Sequence, residues 1–296
     1  MIRLQKPIEK IGGVSLRNHM LLAAGVLGTT AASLSRMLRL GVGGVVTKSI
    51  GPESKDGYHG PSLIPITCGM LNAMGLPNPS KEFADEISTL FAANYPVVVS
   101  IFGGTPAEFA KVAAWFPDAQ AFELNLSCPH AEGYGAAIGA NPRTVRECTR
   151  AVKAFGKPIW VKLTPNVADI SVIGMAAEEG GADAIVAINT VKAMRISTGM
   201  RRPVLGNTFG GLSGTAVFPI AVRAVYDLYE VCGIPIIGCG GIATADNVLE
   251  MMMAGAAAVE IGSAVYGDIS VFSGIAEELY ADNGIPAREI VGCAHD

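Results

Sequence analysis

The sequence predicts an α/β fold, a (β/α)8 TIM barrel with long loops inserted at its C-terminal face, forming one domain over residues 1–296. Three observations carry this expectation. Eight short apolar runs alternate with helix-like stretches. Three segments, "LGVGGVVTKS", "EEGGADAIVAINT" and "MAGAAAVEIGS", share a helix–glycine–strand junction, where glycine closes the helix by tolerating positive φ. The dinucleotide fingerprint of an open doubly wound sheet is missing: "GVGGVV" at Gly41 precedes its strand, and "GCGGIA" lacks the third spaced glycine.

In chain order the runs cover residues 20–24, 44–48, 97–102, 122–126, 159–163, 184–188, 234–238 and 258–261. Most are continuous and β-branched, as strands buried on both faces require. Helices are expected over 142–155, opened by a proline in its first turn, over 167–179 and 216–231 from their apolar spacing, and over 245–254 before Gly255. Three loops are long, 50–79, 128–141 and 191–214, the first with room for small strands of its own. Each follows a strand, so a barrel gathers all three at the face where barrel enzymes work.

Composition narrows the function classes. Half of the residues are hydrophobic and only 16% are charged, which excludes a disordered chain. The formal net charge of -4, without a basic run, argues against nucleic acid. No apolar run reaches the roughly 18 residues of a membrane span; "MLLAAGVLGTTAASL" from Met20 reads as a buried strand followed by a helix. The six cysteines form no C-x-x-C pair, so neither a zinc site nor a local iron–sulfur site is expected, and a reduced, cytoplasmic protein is.

Polar and glycine residues end the expected strands: Ala24–Gly25, Lys48–Ser49, Ser100, Asn125 with Cys128, Lys162 with Thr164, Asn189–Thr190, Gly240–Gly241 and Gly262–Ser263. The last two pairs fall where barrels often hold phosphate against backbone N–H groups. Lys48 and Lys162 either snorkel, offer charge to an anion, or, if desolvated, form a Schiff base in an aldolase-like lyase. Asn72, Asn125 and Asn189 both donate and accept, which suits a planar ring with alternating C=O and N–H, although each also fits a loop cap. Cys128, in "LNLSCPH", is a buried thiol or a reactive one.

Together the motifs "TKS" at Thr47, "NAMGLPNP" at Asn72, "LNLSCP" at Leu124, "VKLTPN" at Val161, "INT" at Ile188, "RRPVLGN" with "GGLSG", "GCGGI" and "IGSA" resemble the class 1 dihydroorotate dehydrogenases, most closely the type 1B catalytic subunits, over nearly the whole chain. The resemblance implies a flavoprotein of de novo pyrimidine biosynthesis holding one FMN at the strand C-termini. Gly240, Gly241, Gly262 and Ser263, with Gly214 nearby, would hold the flavin phosphate. Lys162 would face the flavin ring, Lys48 would touch flavin and substrate, and Ala24, Ser49, Ser100, Asn125 and Ile188 would add cofactor contacts. Asn72, Ala73, Met74, Gly75, Leu76, Asn125, Asn189 and Thr190 would bind dihydroorotate or orotate.

By the same resemblance Cys128 is the base that removes the C5 proton while the C6 hydride goes to flavin N5, with Ser127 relaying the proton away. Electrons would pass to NAD through a separate subunit carrying FAD and a [2Fe–2S] cluster, in a heterotetramer built on a homodimer of this chain. The lack of an added N-terminal membrane segment argues against a quinone-linked class 2 enzyme. Two positions depart from the pattern. His130 stands where many members have asparagine, and "LNLSCPH" and "KLTPN" also resemble the pyrimidine-reducing domain of dihydropyrimidine dehydrogenase, which makes a dihydrouracil-type substrate the alternative. Ser100 stands where type 1B enzymes often carry asparagine.

Overall fold

The structure, a computed structural model, describes residues 10–126, 136–280, 285 and 287–296. Ser127, Cys128 and His130 lie outside the described residues. In chain order the strands are β1 (Met20–Leu22), β2 (Gly44–Val46), β3 (Leu63–Ile66), β4 (Gly69–Asn72), β5 (Val97–Ile101), β6 (Ala121–Asn125), β7 (Ile159–Leu163), β8 (Ala184–Ala187), β9 (Val191–Ala193), β10 (Ile196–Ser197), β11 (Arg202–Pro203), β12 (Gly210–Ser213), β13 (Ile236–Cys239) and β14 (Ala256–Ile261). Eight of them, all parallel, close a barrel in the order β1-β14-β13-β8-β7-β6-β5-β2, with β2 returning to β1. The expected (β/α)8 barrel is therefore present.

Alternation along each strand divides its side chains between two cores. Phe122 and Leu124 of β6, and Ile159, Val161 and Leu163 of β7, belong to the large apolar cluster shared with the helices. Val98, Ala121, Trp160, Val186, Ile237 and Ala258 form a second cluster inside the barrel. Its lower end is stopped by the N-terminal segment: Ile11 and Val14 bridge each other, and Trp160 Nε1 donates to the Gly12 carbonyl at 2.9 Å. Two residues further along, the inward positions of five strands turn polar. They are Ser100, Glu123, Lys162, Cys239 and Glu260.

Helix ends follow local chemistry. Thr105, Asn141, Asp169 and Thr244 each cap a helix with a side-chain oxygen that accepts a backbone N–H. The cap at Asp169 starts its helix at Ile170, not 167, and Thr215–Val217 is a 3₁₀ turn leading into the helix Phe218–Val231. The helix Pro142–Lys153 stops short of 155, with Gly156 at φ 70° just beyond it.

The long loops carry structure of their own, and the small strands allowed for in 50–79 are present as β3 and β4. Segments 50–79 and 191–214 fold together into one antiparallel sheet, β3-β4-β12-β9, over the barrel mouth. Asn72 pairs with Gly211 and Leu71 with Leu212. Among the described residues no helix is long and apolar enough to cross a membrane.

Candidate active site

Strand register builds the site. Ser100 sits opposite Glu123, Asn125 opposite Lys162, and Cys239 opposite Glu260. Inward-facing polar groups on five strands thus meet at one level, just below a cavity closed from above by the cap sheet. Two lysines and no acidic side chain line that cavity among the described residues. Its wall therefore suits an anionic ligand.

Most of the residues singled out from the sequence are brought together there: Ala24, Lys48, Ser49, Asn72, Met74, Gly75, Leu76, Asn125, Lys162, Ile188, Asn189, Thr190, Gly240, Gly241, Gly262 and Ser263 all line it. Three stand elsewhere. Ala73 is buried within the cap, and its N–H donates to the Ser62 carbonyl at 2.8 Å. Ser100 is wholly buried behind Ser49. Gly214 borders an adjoining cavity that shares Gly241, Ser263 and Met70 with the first. Sequence reasoning missed Ser213, Met70 and Leu212, which the cap contributes. It also missed Glu123 and Glu260 beneath the floor. Their signal was an acid at an inward position of an otherwise apolar run, the same signal by which Lys162 was noticed.

A hydrogen-bonded chain crosses the site. The Thr190 N–H donates to Asn189 Oδ1 (2.7 Å), Asn189 Nδ2 to Asn125 Oδ1 (3.3 Å), and Asn125 Nδ2 to Ser49 Oγ (3.1 Å). Ser49 and Ser100 hydroxyls are 2.9 Å apart, and Ser100 donates to Glu123 Oε1 at 3.1 Å. Beyond Glu123 lies the charged group. Lys162 Nζ is 2.6 Å from Glu260 Oε2 and 3.7 Å from Glu123 Oε2.

Burial, then the neighbouring Glu260, pushes the Glu123 carboxyl up to about 8, against the pull of Lys162 and Ser100. Burial opposes charge on Lys162, but the acidic groups around it, Cys239, Glu123 and Glu260, outweigh that and hold it well above the ordinary lysine value. Burial pushes the Cys239 thiol up to about 12. A lysine held this firmly as an ammonium lacks the lone pair a Schiff base needs, so the lyase reading has no support here.

The cavity fits FMN in its chemistry. At the end of β13, Gly240 and Gly241 take φ 136° and 73°. A Cβ on Gly241 would come within 2.7 Å of the Gly214 carbonyl, so the backbone can pass only as glycine. Gly25, at φ 91°, borders the cavity with nothing within 4 Å of where its Cβ would be. A side chain there would occupy the ligand's space. Exposed backbone at one end suits phosphate, and lysine with amides at the other suits a heterocyclic ring.

Comparison with known proteins agrees with this geometry. The family model described as dihydroorotate dehydrogenase matches residues 8–282. Relatives named "Dihydroorotate dehydrogenase B (NAD(+)), catalytic subunit" include one from Methanocella arvoryzae, 56% identical over 96% of this chain and 96% of its own. One from Methanosarcina acetivorans is 55% identical over 98% and 96%, and one from Pyrococcus abyssi 50% identical over 95% and 97%. With barrel, cavity and relatives in agreement along almost its full length, the chain belongs to the dihydroorotate dehydrogenase family.

Proposed function

We propose that this chain is the catalytic subunit of an NAD-linked dihydroorotate dehydrogenase that oxidises dihydroorotate to orotate in pyrimidine biosynthesis. The observation that carries the reading is the two-lysine cavity, lined by no acidic side chain among the described residues and crossed by the Asn189–Asn125 amide pair. Dihydroorotate is an anion with a planar-edged imide, and such a wall binds one. Asn72, Asn125, Asn189 and Thr190 hydrogen-bond the ring, while Lys48 meets its negative charge. Gly240, Gly241, Gly262 and Ser263 would hold the phosphate of FMN, and Lys162 would lie beneath its ring. When bound, FMN supplies the acceptor for the hydride that leaves C6.

Cys128 Sγ takes the C5 proton. Charge that develops on the substrate carbonyl as that proton leaves is met by amide donors already held in place. The cap sheet keeps water away from the reacting carbons. Electrons leave through a partner subunit carrying FAD and a [2Fe–2S] cluster, and the catalytic chains pair as a homodimer in the cytoplasm. The names of the relatives, which specify a catalytic subunit and NAD, support the partner.

The test is anaerobic reduction of the purified chain. It should bind FMN and be reduced by dihydroorotate, and Cys128→Ala should keep FMN but lose almost all reduction at neutral pH. Unchanged single-turnover reduction in that variant removes Cys128 from the chemistry.

A further inference from the structure

Two buried acids, Glu123 and Glu260, and one buried lysine, Lys162, lie under the cavity floor. Left as three ions they would carry a net negative charge in a place without water, which is strongly unfavourable. Two buried oxygens, Glu123 Oε2 and Glu260 Oε1, have no hydrogen-bond partner among the described residues, and both carboxyl groups close on the same ammonium, Glu260 Oε2 at 2.6 Å and Glu123 Oε2 at 3.7 Å from Lys162 Nζ. One proton held by the pair makes the group neutral. Glu260 then keeps its charge against Lys162 at 2.6 Å, and Glu123 is left with Oε1 as a pure acceptor.

That acceptor sets the sense of everything above it. Ser100 has one hydroxyl hydrogen, and it goes to Glu123. Ser100 must therefore accept from Ser49, so Ser49 must accept from Asn125, which it can do only from Nδ2. Asn125 then turns Oδ1 to Asn189, whose Nδ2 donates to it.

We propose that Glu123 is a positioning residue: as the terminal acceptor of this chain it fixes which way round the Asn125 and Asn189 amides stand in the cavity, and it shares one proton with Glu260, whose remaining charge pairs with the Lys162 ammonium at the floor. This deepens the reading of the cavity as a dihydropyrimidine site and rests on it. Among the described residues the titratable groups that face Glu123 are Lys162 on the adjacent strand and Glu260 and Cys239 across the barrel.

The test uses the purified chain with Glu123→Gln, Ser100→Ala and Glu260→Gln. Glutamine copies a protonated glutamate, accepting at Oε1 and donating at Nε2. Glu123→Gln should bind orotate within about twofold of the parent, and Ser100→Ala, which cuts the chain without touching a charge, about tenfold more weakly. The parent should show the infrared carbonyl band of a buried protonated carboxyl at neutral pH, lost in Glu123→Gln and Glu260→Gln. Orotate affinity of the parent should fall as pH passes about 8, where Glu123 ionises, while Glu123→Gln shows no such fall. Equal weakening in Glu123→Gln and Ser100→Ala, parent affinity in Ser100→Ala, or absence of the band in the parent each overturns the proposal. The band needs no ligand. A chain that shows it but binds neither FMN nor orotate defeats the reading of the cavity and leaves the shared proton standing, whereas a chain that turns over dihydroorotate without it defeats the inference alone.

Discussion

Ser49 Oγ and Ser100 Oγ stand 2.9 Å apart inside the barrel, and this contact joins the amide-lined cavity to the charged group beneath it. Ser49 is on the wall; Ser100 is not. The wall residue therefore takes its orientation from one that no ligand touches.

Ser49→Ala removes the acceptor of Asn125 Nδ2 and the donor to Ser100 at once. Leaving buried polar groups unpaired costs about 1–3 kcal/mol. Denaturant unfolding should show a loss in that range, and orotate titration a weaker complex. A variant as stable and as tight-binding as the parent would remove Ser49 from the chain.

Lys162→Met leaves Glu260 buried opposite no cation. Removing one partner of a buried pair costs about 3–5 kcal/mol. Stability at neutral pH should fall by that order. The deficit should shrink on acidification, because a proton taken up by the uncompensated carboxyl removes the buried charge. Unfolding measured at neutral and acidic pH checks this; an equal deficit at both contradicts it.

Glu123 also makes folding depend on pH. Its carboxyl is raised from 4.5 to about 8, so across that window the folded chain keeps a proton that the unfolded chain has released. Stability from this group is greatest below the unfolded value and is lost as pH rises through about 8. Burial lowers His19, which acts in the opposite sense below its ordinary value of 6.5. Comparison with Glu123→Gln separates the two: the decline toward pH 8 should flatten in the variant, as thermal unfolding over a pH series would show.

Gly25 and Gly241 should respond differently to alanine. At Gly25 the new Cβ enters open cavity, so flavin binding should fall while the fold loses only the strain of φ 91°, roughly 1–2 kcal/mol. At Gly241 it meets the Gly214 carbonyl at 2.7 Å and Phe218 Cβ at 2.8 Å, so both stability and flavin content should drop. Melting temperature and flavin content of the two variants distinguish a ligand-space glycine from a packing glycine.

The barrel was legible because most of its strands are continuous apolar runs, three of them entered directly from a helix through glycine, so the signal is local. The cap sheet was legible only as room for small strands in 50–79; its pairing was not. Its central pairing sets Asn72 against Gly211, strands of four residues each from distant parts of the chain, and neither carries a pattern of its own. Strand ends such as Lys48, Asn125 and Asn189 were legible as polar residues where apolar runs stop. Glu123 and Glu260 lie inside their runs, "AFELN" and "AAAVEI", and only the closed barrel shows that both turn toward Lys162. Ser100 was seen, but its depth was not, because burial behind Ser49 depends on the register of β5 against β2.

The measurement that tests the central claim most directly is anaerobic reduction of the FMN-loaded chain by dihydroorotate and by dihydrouracil in parallel. The account predicts rapid bleaching by dihydroorotate, whose carboxylate Lys48 meets, and little by dihydrouracil, which lacks that charge. Bleaching by dihydrouracil as fast as by dihydroorotate, or a chain that takes up no FMN, would contradict it.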